Sequence, residues 1–270
     1  VTAPEPYFAD EHVQLYLGDM RELLPQLAVE ADACVTDPPY GETSLAWDRW
    51  PDGWPALVAQ HTNSMWCFGS MRMFLDQRDE FSGWKLAQDY VGEHVVDTTI
   101  WEKNATSGPN KGDRFSRVHE IATQWYRGAW RDIYHETPRV PSTAERVNPI
   151  GFVGNRKPNS VAHRGAYTEH TAFINDGLVY VRSVLRAKNI RRRACWTHPT
   201  EKPAEIIAPL IESSVPPGGL VLDPFAGSGS TLLTARQLGR RAIGIEASEE
   251  YCERAAKRLS EVDLFTGSAS

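Results

Sequence analysis

Leu220-Val221-Leu222-Asp223-Pro224-Phe225-Ala226-Gly227-Ser228-Gly229-Ser230-Thr231 carries an apolar run into two glycines and then into a helical pattern. The apolar run reads as a buried strand, and the hydrophobic period becomes helical from Ser230. Glycines at this junction let the backbone turn tightly and approach a ligand closely, while the helix start offers unpaired N–H groups. Seventeen positions beyond Gly229, the next apolar run ends in Gly244-Ile245-Glu246. A carboxylate there stands where a doubly wound α/β fold hydrogen-bonds ribose hydroxyls. Leu232 occupies the position of the third glycine of the dinucleotide fingerprint, which disfavours a nicotinamide cofactor and leaves another adenosine ligand. A plain turn would explain the glycine pair alone. Asp223 before it and Glu246 after it favour a binding loop.

Outward from this loop the same rhythm recurs. On the C-terminal side come a helix over Ser230 to Leu238, a strand over Ala242 to Glu246 and a helix over Glu249 to Leu259. A helix over Pro203 to Val215 leads into the loop's own strand. Toward the N-terminus, strands are expected at Val13 to Gly18, Ala31 to Asp37, Met65 to Phe68, Val95 to Trp101 and Glu120 to Tyr126. Helical patterns lie at MRELLPQL, at Ala56 to Thr62 and at Met71 to Phe81, and Glu42 to Pro55 reads as a loop. Strands alternating with helices predict an α/β fold with a doubly wound, mostly parallel Rossmann-like sheet.

At 270 residues and 41% hydrophobic content the chain can bury one large core. Its formal charge of -6 argues at first against nucleic acid, but the average conceals a segregation. Residues 127 to 195 hold thirteen Lys and Arg against five Asp and Glu, a surplus of +8 within a Pro-, Asn- and Gly-rich stretch of no sustained period. Such a stretch is either a solvated insertion or the electrostatic footprint of a polyanion. The four cysteines are scattered without a C-x-x-C pair. Cys195 with His198 makes at most half a zinc site, so no metal is expected. No apolar run approaches the roughly 18 residues that span a bilayer, and the N-terminal stretch has no signal-peptide pattern. A cytoplasmic, membrane-free protein is the expectation.

A second strand end carries unusual chemistry. Thr36-Asp37-Pro38-Pro39-Tyr40-Gly41 follows Ala33-Cys34-Val35 with an acid, two rigid prolines and an aromatic, more than a turn requires. In an open α/β sheet ligands bind beyond the carboxyl ends of strands. That edge would gather this stretch with Asp19 after VQLYLG, with FGS at 68–70, and with Asp223 and Glu246. Thr197-His198-Pro199-Thr200-Glu201-Lys202-Pro203 precedes the helix leading to the glycine loop, with Lys202 near the helix start. Lys202 could neutralise a carboxylate or simply be solvated.

Together these blocks resemble the amino-methylating DNA methyltransferases that use S-adenosylmethionine. DPPY resembles their catalytic motif, DPFAGSGST their cofactor loop and HPTEKP the block before it. The catalytic motif preceding the cofactor loop resembles the permuted β group. The match covers about Val13 to Tyr126 and His198 to Leu259. The resemblance implies a methyltransferase core in two halves, 1–127 and 196–262. A basic target recognition region would be inserted at 128–195, and 263–270 would form a tail. It implies that Asp37 and the Pro38 carbonyl accept hydrogen bonds from the exocyclic amine of a flipped base, with Pro39 stiffening the turn and Tyr40 stacking on that base. Phe225, Gly227, Gly229, Ser230 and Thr231 would line the cofactor together with Asp37 and Asp223. Glu246 would bind its ribose, Lys202 would face its methionine carboxylate, and Asp19 and Met20 would lie near its adenine. His119-Glu120 also resembles a family block, without an assigned role.

Double-stranded DNA is the implied partner, with Arg156, Lys157, Arg164, Arg191, Arg192 and Arg193 as candidate contacts. The resemblance leaves room for a homodimer and for a cognate restriction enzyme. Transfer to cytosine C5 would need a cysteine nucleophile, usually after proline, and no Pro-Cys pair exists. An acid at the first motif position implies adenine N6 over cytosine N4. Methylation of RNA or of a protein amide fits less well, since those enzymes usually place asparagine first and the cofactor loop earlier.

Overall fold

The computed structural model describes residues 4–96, 99–100, 119–142, 150–156, 171–188 and 202–266. The chain forms two compact units, one of Val1–Glu136 with Ser183–Ser270 and one of Thr137–Arg182.

In the larger unit the strands are β1 (Phe8–Ala9), β2 (Val13–Leu17), β3 (Ala33–Thr36), β4 (Ser64–Gly69), β5 (Lys85–Val96), β6 (Thr99–Ile100) and β7 (His119–Tyr126). The smaller unit holds β8 (Arg139–Pro141), β9 (Val153–Arg156), β10 (Thr171–Ile174) and β11 (Leu178–Tyr180). The larger unit resumes with β12 (Val184–Lys188), β13 (Leu220–Asp223) and β14 (Arg241–Glu246). Its sheet runs β1-β2-β14-β13-β3-β4-β7-β5-β12, with β6 paired to β5.

From β2 to β4 every pairing is parallel, as the alternating strands and helices predict. These strands are covered on both faces, and so read as apolar runs and not as alternations. Val35, Met65, Trp66, Val221, Leu222 and Ile245 have no exposed surface. Six α-helices are described: α1 (Met20–Leu23), α2 (Trp54–Val58), α3 (Met71–Asp76), α4 (Ala204–Ser214), α5 (Ser230–Gln237) and α6 (Glu249–Thr266). In α4, Ile206, Ile207, Leu210 and Ile211 fall at the spacing of one helical face and are all buried.

Beyond β4 the sheet departs from the expected parallel order, because β7 runs antiparallel to both β4 and β5. The strand expected at Val95 to Trp101 is the far end of the longer β5, followed by the short β6, and Trp101 lies outside the described residues. KLAQDYVGEHVV has too few apolar residues in alternation to reveal its first half as strand. β12, inside the stretch expected to be an insertion, joins the large sheet beside β5 in parallel. The final helix continues to Thr266, past the expected start of a tail. The smaller unit contains two short antiparallel ladders, β8 with β11 and β9 with β10. Its Arg139 pairs with Asp176 at 2.6 Å and lies over the Tyr180 ring.

Candidate active site

Parallel neighbours end at the same edge of a sheet, so the carboxyl ends of β2, β14, β13, β3 and β4 present Asp19, Glu246, Asp223, Asp37 and Ser70 together. The antiparallel β7 adds its opposite end. Gly69 at the end of β4 is in register with Ile121, which brings Glu120 to the same edge.

Asp37 is the centre of this arrangement. The Tyr40 hydroxyl donates to its Oδ1 at 2.7 Å, and the Lys202 ammonium donates to its Oδ2. Lys202 also lies 3.4 Å from Glu120 Oε2 and 5.2 Å from the centre of the Phe68 ring. It is 10% exposed. Burial disfavours its charge, but the carboxylates of Asp37 and Glu120 outweigh burial and raise its pKa, so it remains an ammonium. Burial, then Asp37 and Glu120, hold the Tyr40 phenol well above its ordinary value, which keeps it a neutral donor. Pro38 is buried, while Pro39 and Tyr40 are half-buried.

The loop after Tyr40 is tied down by residues to which the sequence assigns no role. Asp48 is almost fully buried and accepts from the amides of Gly41 at 2.8 Å and Thr43 at 2.7 Å. Burial opposes its charge, but these donors win and lower its pKa. Glu42 accepts from the hydroxyl of Ser70, which caps α3 by accepting from Met73 N at 3.0 Å. Trp54, fully buried, meets Phe225 edge to face at 5.4 Å and Phe81 at 6.0 Å, backing the cofactor loop with an aromatic wall. Only the density of Trp, Asp and Gly in 42–55 signalled that this loop had work to do.

Asp223 joins the two motifs. Its carboxylate accepts from the Thr36 hydroxyl at 2.7 Å, from Phe225 N at 3.2 Å and from the Thr231 hydroxyl. Burial is the strongest influence and exceeds these donors, while Asp37 nearby adds to it, so the pKa rises to about 6. The residue before Asp37 and the loop after β13 therefore share one buried acid.

In the glycine loop Gly227 has φ 52° and Gly229 φ 75°, conformations that L side chains rarely adopt. A Cβ on Gly227 would meet only the Phe225 carbonyl oxygen, at 4.0 Å, which leaves backbone open to a ligand. Glu246 accepts from Gly227 N at 2.7 Å and Ser248 N at 2.8 Å. The Ala247 amide is a third donor to this carboxylate, which has about four acceptor positions and so keeps room for a further one. Burial raises its pKa against these amides. Arg258 of α6 donates to Ser230 Oγ at 3.1 Å, fastening the start of α5. Gly18 N donates to Glu246 O at 2.9 Å, so Asp19 lies beside this strand end, where it caps α1 and binds Arg21. Met20 is buried in the core. The loop thus fits a nucleoside cofactor: a glycine turn at a helix start, an acid beside it and open space over Gly227.

Of the expected DNA contacts, Arg156 ends β9, while Lys157, Arg164 and Arg191 to Arg193 lie outside the described residues, as do His198 and Cys195. No metal-binding cluster occurs among the described residues, and no described helix is long and apolar enough to cross a membrane.

An open α/β sheet with a glycine-rich nucleoside loop at one strand end and an acid-Pro-Pro-aromatic turn at the next defines a methyltransferase fold. The family model described as DNA methylase, of N6 and N4 specificity, matches residues 31–258. The chain belongs to this family, which makes it an S-adenosylmethionine-dependent DNA amino-methyltransferase acting on adenine N6 or cytosine N4.

Among its relatives, the type II methyltransferase M.ScaI of Streptomyces caespitosus is 27% identical over 267 residues, 94% of this chain and 84% of that protein. YubD of Escherichia coli (strain K12) is 57% identical over 65 residues, 24% of this chain and 29% of YubD. The solved PvuII cytosine-N4-specific DNA methyltransferase shares the fold with a TM-score of 0.61 at 16% identity, covering 97% of this chain and 94% of that one. The M1.HpyAVI–SAM complex does so with a TM-score of 0.57 at 23% identity, covering 92% and 100%.

Proposed function

We propose that this protein methylates the N6 amine of an adenine flipped out of duplex DNA. The observation that carries the reading is Asp37, a carboxylate fixed on both oxygens at a strand end and joined through Thr36 and Asp223 to the glycine loop. The acid at this first motif position favours adenine over cytosine.

An aryl amine is a poor nucleophile because its lone pair is delocalised into the ring. Asp37 and the Pro38 carbonyl would accept the two amine hydrogens, favouring a tetrahedral nitrogen with its lone pair free to react. Proline carries no amide hydrogen and holds the acceptor rigidly. Tyr40 would support the flipped base and partly replace its lost stacking. When bound, S-adenosylmethionine supplies an electrophilic methyl group. Phe225, Gly227, Gly229, Ser230 and Thr231 would line its site with Asp223, Glu246 would take its ribose hydroxyls, and Asp19 and Met20 would flank its adenine. The basic stretch 128–195 would track phosphates and read bases, which concentrates DNA affinity in one region of an otherwise acidic chain.

The test is incubation of unmethylated DNA with labelled cofactor, followed by nucleoside mass spectrometry. N6-methyladenine is the expected product. N4-methylcytosine would reassign the base, and an unlabelled digest would refute methyl transfer.

A further inference from the structure

Glu120, Lys202 and Asp37 come from three distant parts of the chain and meet at one point. Glu120 is the second residue of β7, Lys202 precedes α4 and Asp37 follows β3. The Lys202 side chain is largely buried, and its Asp37 and Glu120 partners are 26% and 24% exposed. One ammonium therefore serves two carboxylates in a partly desolvated space, with the Phe68 ring on a further side. Both oxygens of Asp37 hold a fixed donor, Tyr40 on one and Lys202 on the other. A long lysine held by a single partner sweeps through many rotamers. A second anchor confines it, and with it the plane of the carboxylate it binds.

We propose that Glu120 is a positioning residue. Acting through Lys202, it fixes the orientation of the Asp37 carboxylate for the target amine, and Lys202 is thereby committed to Asp37 and not to the cofactor's carboxylate. The second half replaces the role that the family resemblance implies for Lys202. Two carboxylates of the chain already exceed its single charge, and a third would be repelled by both. The inference rests on Asp37 being the acceptor for the amine.

Glu120→Gln keeps the shape and one acceptor oxygen while removing the charge. Glu120→Asp keeps the charge on a shorter arm, and Lys202→Met removes the ammonium. Each would be compared with the unaltered protein by S-adenosylhomocysteine calorimetry, by kcat and KM on unmethylated DNA, and by acetylation of Lys202 followed by peptide mass spectrometry. In Glu120→Gln, kcat should fall about ten- to a hundredfold, with KM and the S-adenosylhomocysteine Kd within about threefold. Lys202 should be acetylated several times faster. Glu120→Asp should recover part of kcat, which a merely structural defect would not allow. Lys202→Met should lower kcat further and leave the Kd unchanged.

A Kd raised tenfold or more in Lys202→Met would return Lys202 to the cofactor and overturn the inference. So would an unchanged kcat in Glu120→Gln, with Asp37 still standing as the acceptor. Absence of methyl transfer by the unaltered protein would instead remove the reading of Asp37 itself, and the inference with it, even if Lys202 labelling still reported the ion pair.

Discussion

Replacing Asp223 by Asn should make the protein more stable at neutral pH, and the gain should vanish in acid. Asp223 is 2% exposed and its pKa is raised from 3.8 to about 6, principally by burial. A carboxyl group raised in the folded state stabilises the fold while both states are protonated, below about pH 3.8, and that contribution is lost as pH rises through about 6. The shift of about two units corresponds to roughly 3 kcal/mol in full, of which about 2 kcal/mol falls between pH 4.5 and 7.5. Asparagine keeps an acceptor for Thr36 and Phe225 and carries no charge. Urea unfolding of both proteins at several pH values reads the difference directly. The variant's advantage should grow by about 2 kcal/mol from pH 4.5 to pH 7.5 and then level off. An advantage that does not change with pH would show that the Thr36, Thr231 and Phe225 donors already offset burial, and the reasoning would fail.

Three further outcomes are expected. Asp37→Ala should abolish methyl transfer while S-adenosylhomocysteine binding stays within a few fold; near-normal turnover would remove Asp37 from the chemistry. Asp48→Ala leaves the Gly41 and Thr43 amides without their acceptor, so urea unfolding at pH 7 should show a loss of about 1–3 kcal/mol. Because the Asp48 pKa is lowered, its contribution is present above the ordinary carboxyl value and fades as pH falls below it, so the deficit should shrink in acid; a deficit that grows there would contradict the hydrogen bonding. In Gly244→Ala the new Cβ would stand 2.6 Å from Leu232 Cδ1 and 3.1 Å from Ala226 Cβ. Overpacking of this kind costs about 1–3 kcal/mol. Thermal unfolding should show the midpoint fall by roughly 2–4 °C for each kcal/mol, and an unchanged midpoint would mean that α5 yields without cost.

Much of the site was legible because its signals are local. The glycines at 227 and 229 adopt the positive φ that a tight strand-to-helix turn demands, and the acids at 37, 223 and 246 each close an apolar run. Such features need only neighbouring residues to be read. Asp48 was not legible as a site residue, because nothing adjacent distinguishes a buried carboxylate from a solvated one, and Ser70 and Glu120 were visible only as members of FGS at the ligand edge and of a family-like block, without roles. Lys202 was visible as a candidate, but its partners were not, since they lie 165 and 82 positions away in the chain.

The sequence by itself determined the alternating α/β core, the order of its two motifs, the segregation of basic charge and the acid-Pro-Pro-aromatic turn. All of these rest on periodicity and short-range stereochemistry. Only the tertiary structure decided the direction of β7. An apolar run looks the same whether its strand lies parallel or antiparallel to its neighbour, since side chains alternate identically in both. That direction has a chemical consequence. A parallel β7 would bring Tyr126 to the active edge, whereas the antiparallel strand brings Glu120 there, within reach of Lys202 and, through it, of Asp37.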